Sequence, residues 1–204
     1  MLTVCCVLRT KHSPAGIYDA FHVFRLQLAV SRHLRAPYRF VCLSDTALDC
    51  ETIPLIKEWP GFWSKIELFR PGLFNGRVLY LDLDVTVVGD LSELAVYGPT
   101  FAAIADYQFP LKLNSSVMAW NSWSHTDIFS ALTSHDMERL RGDQDWIFER
   151  VPNFNRFPRL WCPSYKAHVR PTGQLHKDAR VIVWHGRPKP WDVPRTEFLG
   201  EKVA

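Results

Sequence analysis

The 204-residue chain has no apolar run approaching the roughly 20 residues that span a bilayer. Its start, MLTVCCVLRT, lacks a basic n-region and reaches Arg9 and Lys11 too early for a secretory signal. Nor do Lys and Arg gather anywhere: 24 basic residues against 21 acidic leave a net charge of +3, too small to imply a nucleic-acid partner. The five cysteines are odd in number and never take a Cys-x-x-Cys spacing, which argues against a disulfide framework or a zinc site. They read as reduced, mostly buried thiols, with the neighbours Cys5 and Cys6 on opposite faces of a strand. No repeat, linker or low-complexity tract interrupts the chain. What is present is 47% hydrophobic and 22% charged, the balance of a soluble globular protein. The expectation is one cytoplasmic domain over residues 1–204.

Residues 2–8, 38–43, 52–56, 77–81, 101–105, 116–120 and 181–184 read as strands. Residues 17–34, 63–69, 126–132 and 143–150 read as helices, the first from the spacing of Ile17, Phe21, Phe24 and Leu28. Pro54 cannot donate to a ladder and marks its strand as an edge. Strands alternating with helices over the first half predict an α/β fold with a mixed, mainly parallel sheet flanked by helices. Most of the eight tryptophans read as core, with Trp191 the exception.

Polar groups gather at the ends of the apolar strands, where open α/β sheets bind ligands. Asp82-Leu83-Asp84 leaves the run RVLYL, and a two-residue period sets both carboxylates on one side of the chain, where they repel. A hard divalent cation, Mg²⁺ or Mn²⁺, resolves that repulsion. The plain alternative has one aspartate capping a turn and the other in solvent. The segment His185-Gly186-Arg187-Pro188-Lys189-Pro190-Trp191 offers an imidazole, a glycine that lets backbone N–H groups approach an anion, and a lysine that neutralises phosphate. Its plain alternative is a basic surface loop. In Gly142-Asp143-Gln144-Asp145, a helix N-cap explains Asp143 but not the polar pair behind it. Leu113-Asn114-Ser115-Ser116 supplies short side chains that suit either a sugar or an ordinary turn.

The order of these pieces is more specific than any one of them: WSK (63–65), LYLDLDV (79–85), AAIAD (102–106), LNSSVMAW (113–120), GDQD (142–145) and HGRPKPW (185–191). The set resembles the family 8, glycogenin-like glycosyltransferases of the GT-A fold over about residues 1–191. The resemblance implies a metal-dependent transfer of sugar from a nucleotide-diphosphate sugar, a UDP-sugar in this family, to an acceptor not specified by the motifs, with retention. It implies that Asp82, Asp84 and His185 hold Mn²⁺ or Mg²⁺, and that Lys189 and the Gly186 backbone contact the diphosphate. Lys65 and Asp106 would meet the donor, with Asn114, Asp143 and Gln144 around the sugar and the loop near Cys6–Arg9 facing the base. Two departures stand out: Ser116 replaces the family's glycine, and His185 lies closer to Lys189 than in the family pattern. The chain is also shorter than typical members, without room for a basic C-terminal extension or much of an acceptor subdomain.

Chemically, a cation held by carboxylates and imidazole, with Lys189, would stabilise charge building on the leaving diphosphate. Front-face attack by the acceptor, with Gln144 shielding the opposite face and Asp143 orienting the sugar or acceptor, is the preferred route. A covalent step on Asp143 or Asp145 is the alternative. Two rival readings exist. In a haloacid-dehalogenase-type phosphatase, Asp82 would be nucleophile and Asp84 acid/base, but some 80 residues of α/β pattern precede the motif and HGRPKPW would have no role. In a catalytically inactive sugar-nucleotide-binding protein, the same groups would bind without turnover.

Overall fold

The computed structural model describes residues 1–11 and 18–194. Strands and helices alternate first as β1 (Leu2–Leu8), α1 (Ala20–His33), β2 (Tyr38–Ser44), β3 (Glu51–Pro54), a 3₁₀-helix (Gly61–Phe69) and β4 (Arg77–Leu81). There follow β5 (Thr86–Val87), α2 (Ser92–Val96), β6 (Phe101–Ala105), β7 (Leu113–Asn121), α3 (Asp127–Ser130), α4 (Ser134–Arg139) and α5 (Asp143–Arg150). The last elements are β8 (Asn155–Arg156), a π-helical turn (Tyr165–Val169), β9 (Val181–Ile182) and a 3₁₀ turn (Pro190–Asp192).

Seven strands form one sheet in the order β3-β2-β1-β4-β7-β6-β8, while β5 and β9 pair separately. Every pairing in the large sheet is parallel except the two that β7 makes, with β4 and β6. The expected mixed, mainly parallel α/β sheet is therefore present. β1 and β4 read as nearly continuous apolar runs because both faces of the central strands are covered. Val4, Cys6, Leu8, Leu79 and Leu81 pack on the α1 side, and Cys5, Val78 and Tyr80 pack on the other side with Trp63, Ile66, Phe69 and Trp120. Cys5 and Cys6 thus point to opposite faces, as the two-residue period requires.

Helix α1 corrects the expected register. It starts at Ala20, where Asp19 accepts hydrogen bonds from the backbone N–H groups of Phe21 and His22. Its buried stripe is Val23, Leu26 and Val30, whereas Phe21, Phe24 and Leu28, which carried the predicted spacing, face outward. Both stripes are apolar at helical spacing, so periodicity alone finds the helix but not the face it buries. Ile17, the first residue of the predicted helix, lies outside the described residues. The segment 63–69 is a tight 3₁₀-helix, buried from Trp63 through Phe69. It carries Glu67 into the core, where its carboxylate accepts from the backbone N–H groups of Ile56 (2.8 Å) and Lys57 (2.9 Å). β7 extends past its predicted start back to Leu113. β9 is shorter than expected, because Val183 leaves the β5 ladder and bridges to Ser164.

The five cysteines are free; all but Cys50 are buried. Burial pushes the thiols of Cys5, Cys6 and Cys162 well above the ordinary range, and the half-buried Cys50 shifts the same way. Because the thiolate is the reactive form, the native protein is expected to yield one thiol at most to a thiol-exchange reagent within minutes. Unfolding in guanidinium should release all five. Rapid reaction of several thiols in the native state would contradict this packing.

The fold matters for function through its polarity. β1, β2, β4 and β6 run in one direction and deliver Arg9, Asp45, Asp82 and Asp106 just beyond their last residues. β7 runs the other way, so its beginning, with Asn114, Ser115 and Ser116, arrives at that same edge.

Candidate functional site

Two adjoining cavities open at this edge. The first, about 550 Å³, is lined by residues from β1, the 3₁₀-helix, the end of β4, the start of β7 and α5, among them Arg9, Tyr18, Lys65, Asp82, Asp84 and Ser115. The second, about 390 Å³, is lined by Asp106, Tyr107, Asn114, Asp145 and His185 among others. Phe62, Asp143 and Gln144 line both and form their common wall.

Lys65 is the centre of the first cavity's floor. Its ammonium lies 3.0 Å from Asp82 Oδ1, 3.1 Å from Asp143 Oδ2 and 3.1 Å from Ser115 Oγ. The Ser115 carbonyl lies at 3.5 Å, so three N–H donors meet four acceptors and the ammonium is saturated. Ser115 Oγ donates in turn to Asp143 Oδ2 at 2.7 Å, closing a small ring. Burial pulls the Lys65 pKa down, but Asp143 and Asp82 outweigh it and hold the ammonium charged above its ordinary range.

The two aspartates of the motif differ in surroundings. Burial pushes Asp82 up, yet Lys65 and the phenol of Tyr80, which donates to Oδ1, bring it below the usual carboxylate range. Burial and the charge of Asp82 push Asp84 above that range, against the opposing pull of Lys189. Oδ2 of Asp84 accepts from Tyr18 Oη at 2.8 Å and from the Lys189 ammonium. Two carboxylates forced together at one strand end have split their proton affinities.

On the common wall, Gln144 is fixed at both ends of its amide: Nε2 donates to Asp106 Oδ2 (3.1 Å) and Oε1 accepts from the Ser115 backbone N–H (3.4 Å). Asp106 is itself oriented by the N–H groups of Gln108 and Phe109. Asn114 Oδ1 accepts from the Ser116 N–H, a local turn that holds its side chain at the start of β7. Asp145, which lines the second cavity, pairs with Arg141 at 3.1 Å.

The predicted site residues therefore converge in part. Lys65, Asp82, Asp84, Asp143 and Gln144 line the first cavity, and Asp106, Asn114 and His185 the second. Lys189 reaches the first through Asp84. Gly186 sits at φ +68°, a conformation that suits glycine, beside the Lys166 ammonium. The structure does not bring His185 to the aspartate pair. Its Nε2 is 2.7 Å from Ser164 Oγ, and its ring stacks on Tyr107. Among the described residues no three His, Cys, Asp or Glu side chains gather as a cation cage. The pair alone nonetheless suits a hard divalent cation: the half-buried Asp82 and the buried Asp84 line one cavity, and such ions commonly take one or two carboxylates and complete their shell with phosphate oxygens and water. The phosphatase alternative is not favoured, because β4 lies inside a sheet already begun by β1 and β2 and Asp82 Oδ1 is engaged by Lys65 and Tyr80.

Sequence reasoning missed Tyr18 and Tyr80 as partners of the aspartates, and Phe62 on the wall. Tyr80 was within reach of pattern, since Tyr80, Asp82 and Asp84 stand two residues apart in succession. Tyr18 comes from a segment distant in sequence, and Phe62, although it directly precedes Trp63-Ser64-Lys65, has no polar group to mark it.

No family model and no curated protein matches the sequence. Among solved structures the chain is similar to the glycosyltransferase GlyE of Streptococcus pneumoniae TIGR4, with TM-score 0.74 and 16% identity over 98% of this chain and 60% of that one. It is also similar to the galactosyltransferase LgtC, solved with donor and acceptor sugar analogues, with TM-score 0.68 and 16% identity over 93% and 89% of the two chains. WbbM, a bifunctional glycosyltransferase, follows at TM-score 0.62 and 15% identity over 93% and 46%. The chain spans about three fifths of GlyE's length. These likenesses establish a GT-A-type fold. No helix among the described residues is long and apolar enough to cross a membrane.

Proposed function

We propose that this chain is a glycosyltransferase that moves a sugar from a nucleoside-diphosphate sugar, a UDP-sugar by the resemblance of its motifs, to an acceptor hydroxyl with retention at the anomeric carbon. The observation that carries this reading is the pair of adjoining cavities sharing the Asp143–Gln144 wall, with the aspartate pair and Lys65 lining the first and Lys189 paired to Asp84 at its margin. That is a place for a diphosphate beside a place for a sugar. The galactosyltransferase LgtC, solved with both donor and acceptor analogues, supports a two-substrate reading.

Asp82 and Asp84 are the residues that would hold Mn²⁺ or Mg²⁺, and the cation reading rests on these two without His185. A bound cation would supply Lewis-acid stabilisation of the leaving diphosphate. The chain's own groups do the rest. Lys189 offers a positive charge to the diphosphate. Asp106 and Asn114 present oxygens that sugar hydroxyls recognise. Gln144, clamped at both ends of its amide, is a rigid polar face against the sugar. Asp143, held by Lys65 and Ser115, orients the sugar or the acceptor, whose proton passes to the leaving phosphate oxygen in front-face transfer.

A thermal-shift series with UDP, UDP-hexoses, GDP and pyrophosphate, each with and without Mn²⁺, tests the reading. A nucleotide sugar near one hundred times its Kd should raise Tm by about 5–10 °C, and only with Mn²⁺ present. No shift with any nucleotide would overturn it. A binding protein without activity would show the shift but release no UDP in the presence of acceptor.

A further inference from the structure

Lys189 occupies a place that the proposed cation also needs. Its ammonium donates to Oδ2 of Asp84, the oxygen that also accepts from Tyr18, and to the Trp184 carbonyl at 3.3 Å. Both partners are well buried, with side-chain exposures of 14% for Lys189 and 11% for Asp84. The segment carrying Lys189 is fastened on both sides of it. Asp192 Oδ2 accepts from the Lys189 backbone N–H (2.9 Å) and from Arg187 (2.8 Å). The Trp191 ring meets His22 edge-on at 4.6 Å and Tyr18 at 5.9 Å.

An ammonium and a divalent cation cannot share one buried carboxylate without strong repulsion. Without the ammonium, however, Asp84 would stand beside Asp82 with less compensation for burial and like charge. We propose that Lys189 is the built-in counter-cation of Asp84, and that it surrenders this carboxylate to the entering metal and passes to the donor's diphosphate. The fastenings at Asp192 and Trp191 keep the released ammonium close to the cavity. Lys189 is thus a positioning residue that couples two binding events. Metal alone must compete with it, whereas metal and diphosphate together give every charge a partner. This inference rests on the proposed cation site at Asp82 and Asp84.

The coupling gives Lys189→Gln effects of opposite sign. Mn²⁺ titrated alone and followed by electron paramagnetic resonance should bind K189Q at least about tenfold more tightly than wild type, because the competitor is gone. UDP in saturating Mn²⁺, measured by calorimetry, should bind K189Q at least about tenfold more weakly. Lys189→Arg keeps the charge and should leave Mn²⁺ affinity near wild type. The wild-type protein provides an independent arm, in which acylation of lysines read by mass spectrometry should find Lys189 protected and then exposed by Mn²⁺ alone. Unchanged or weaker Mn²⁺ binding in K189Q, or Lys189 protection indifferent to Mn²⁺, would overturn the inference while Asp84→Asn still abolished Mn²⁺ binding. If Asp84→Asn binds Mn²⁺ as wild type does, the cation site itself fails.

Discussion

Asp84→Asn is expected to lower metal-dependent turnover of the nucleotide sugar by about a thousandfold, since metal stabilisation of a leaving diphosphate is worth several kcal/mol and each 1.4 kcal/mol is a factor of ten. The change is nearly isosteric, and it deletes the charge that makes Asp84 a ligand for a hard cation. Its effect on folding should be small because two consequences oppose each other. Burial and the repulsion from Asp82, which together push the Asp84 carboxyl up, no longer act on a charge, and Lys189 loses its ionic partner. Lys189 keeps the Trp184 carbonyl as an acceptor at 3.3 Å, and its long stem can carry the ammonium toward water. Release of UDP from a UDP-sugar, measured beside the melting temperature, separates the two effects. Turnover within a few-fold of wild type would remove Asp84 from the mechanism.

The contrast between Asp84 and Asp82 shows what the sequence could convey. A carboxylate pair at a two-residue spacing after an apolar strand was legible, as was its placement at the edge where strands of a parallel sheet deliver ligand groups. Its partition was not. Asp82 is bound from beneath by Lys65, which arrives from the 3₁₀-helix, and Asp84 from above by Lys189, which arrives from beyond β9. Those pairings span 17 and 105 residues of chain, and no local pattern encodes them. The same limit explains α1, where two apolar stripes made the helix evident and left its buried face open until Val23, Leu26 and Val30 met the sheet. It explains His185 too. Its position after a buried strand was plain, but the direction of its ring depends on Ser164 and Tyr107, neighbours that only the tertiary fold supplies. Order along the chain carried the fold; the wiring of charges across it arises only in the tertiary structure.

Lys65→Met is expected to destabilise the protein by about 3–5 kcal/mol, the usual consequence of removing one member of a buried ionic group and stranding the other. Here two carboxylates are stranded, Asp82 and Asp143, at 3.0 and 3.1 Å from the lost ammonium. Methionine fills much of the same volume, so the loss reads charge and not a cavity. Ser115 still donates to Asp143, which tempers the effect on that residue, while Asp82 keeps only the help of Tyr80 and its neighbours on β7. Urea unfolding measures the cost, and the Asp143→Asn background identifies its source. If the ion cluster is the cause, Lys65→Met should cost at least about 1 kcal/mol less once Asp143 is neutral, the coupling expected of directly contacting charges. A cost that is the same in both backgrounds would assign Lys65 a packing role alone, and a single-mutant loss below about 1 kcal/mol would mean that the site floor does not depend on the lysine. The size of the expected loss follows from the arrangement that suits the site to ligand binding: a saturated ammonium holds one aspartate of the strand-end pair and the aspartate of the sugar wall at fixed distance, so the two cavities keep their relation before any substrate enters.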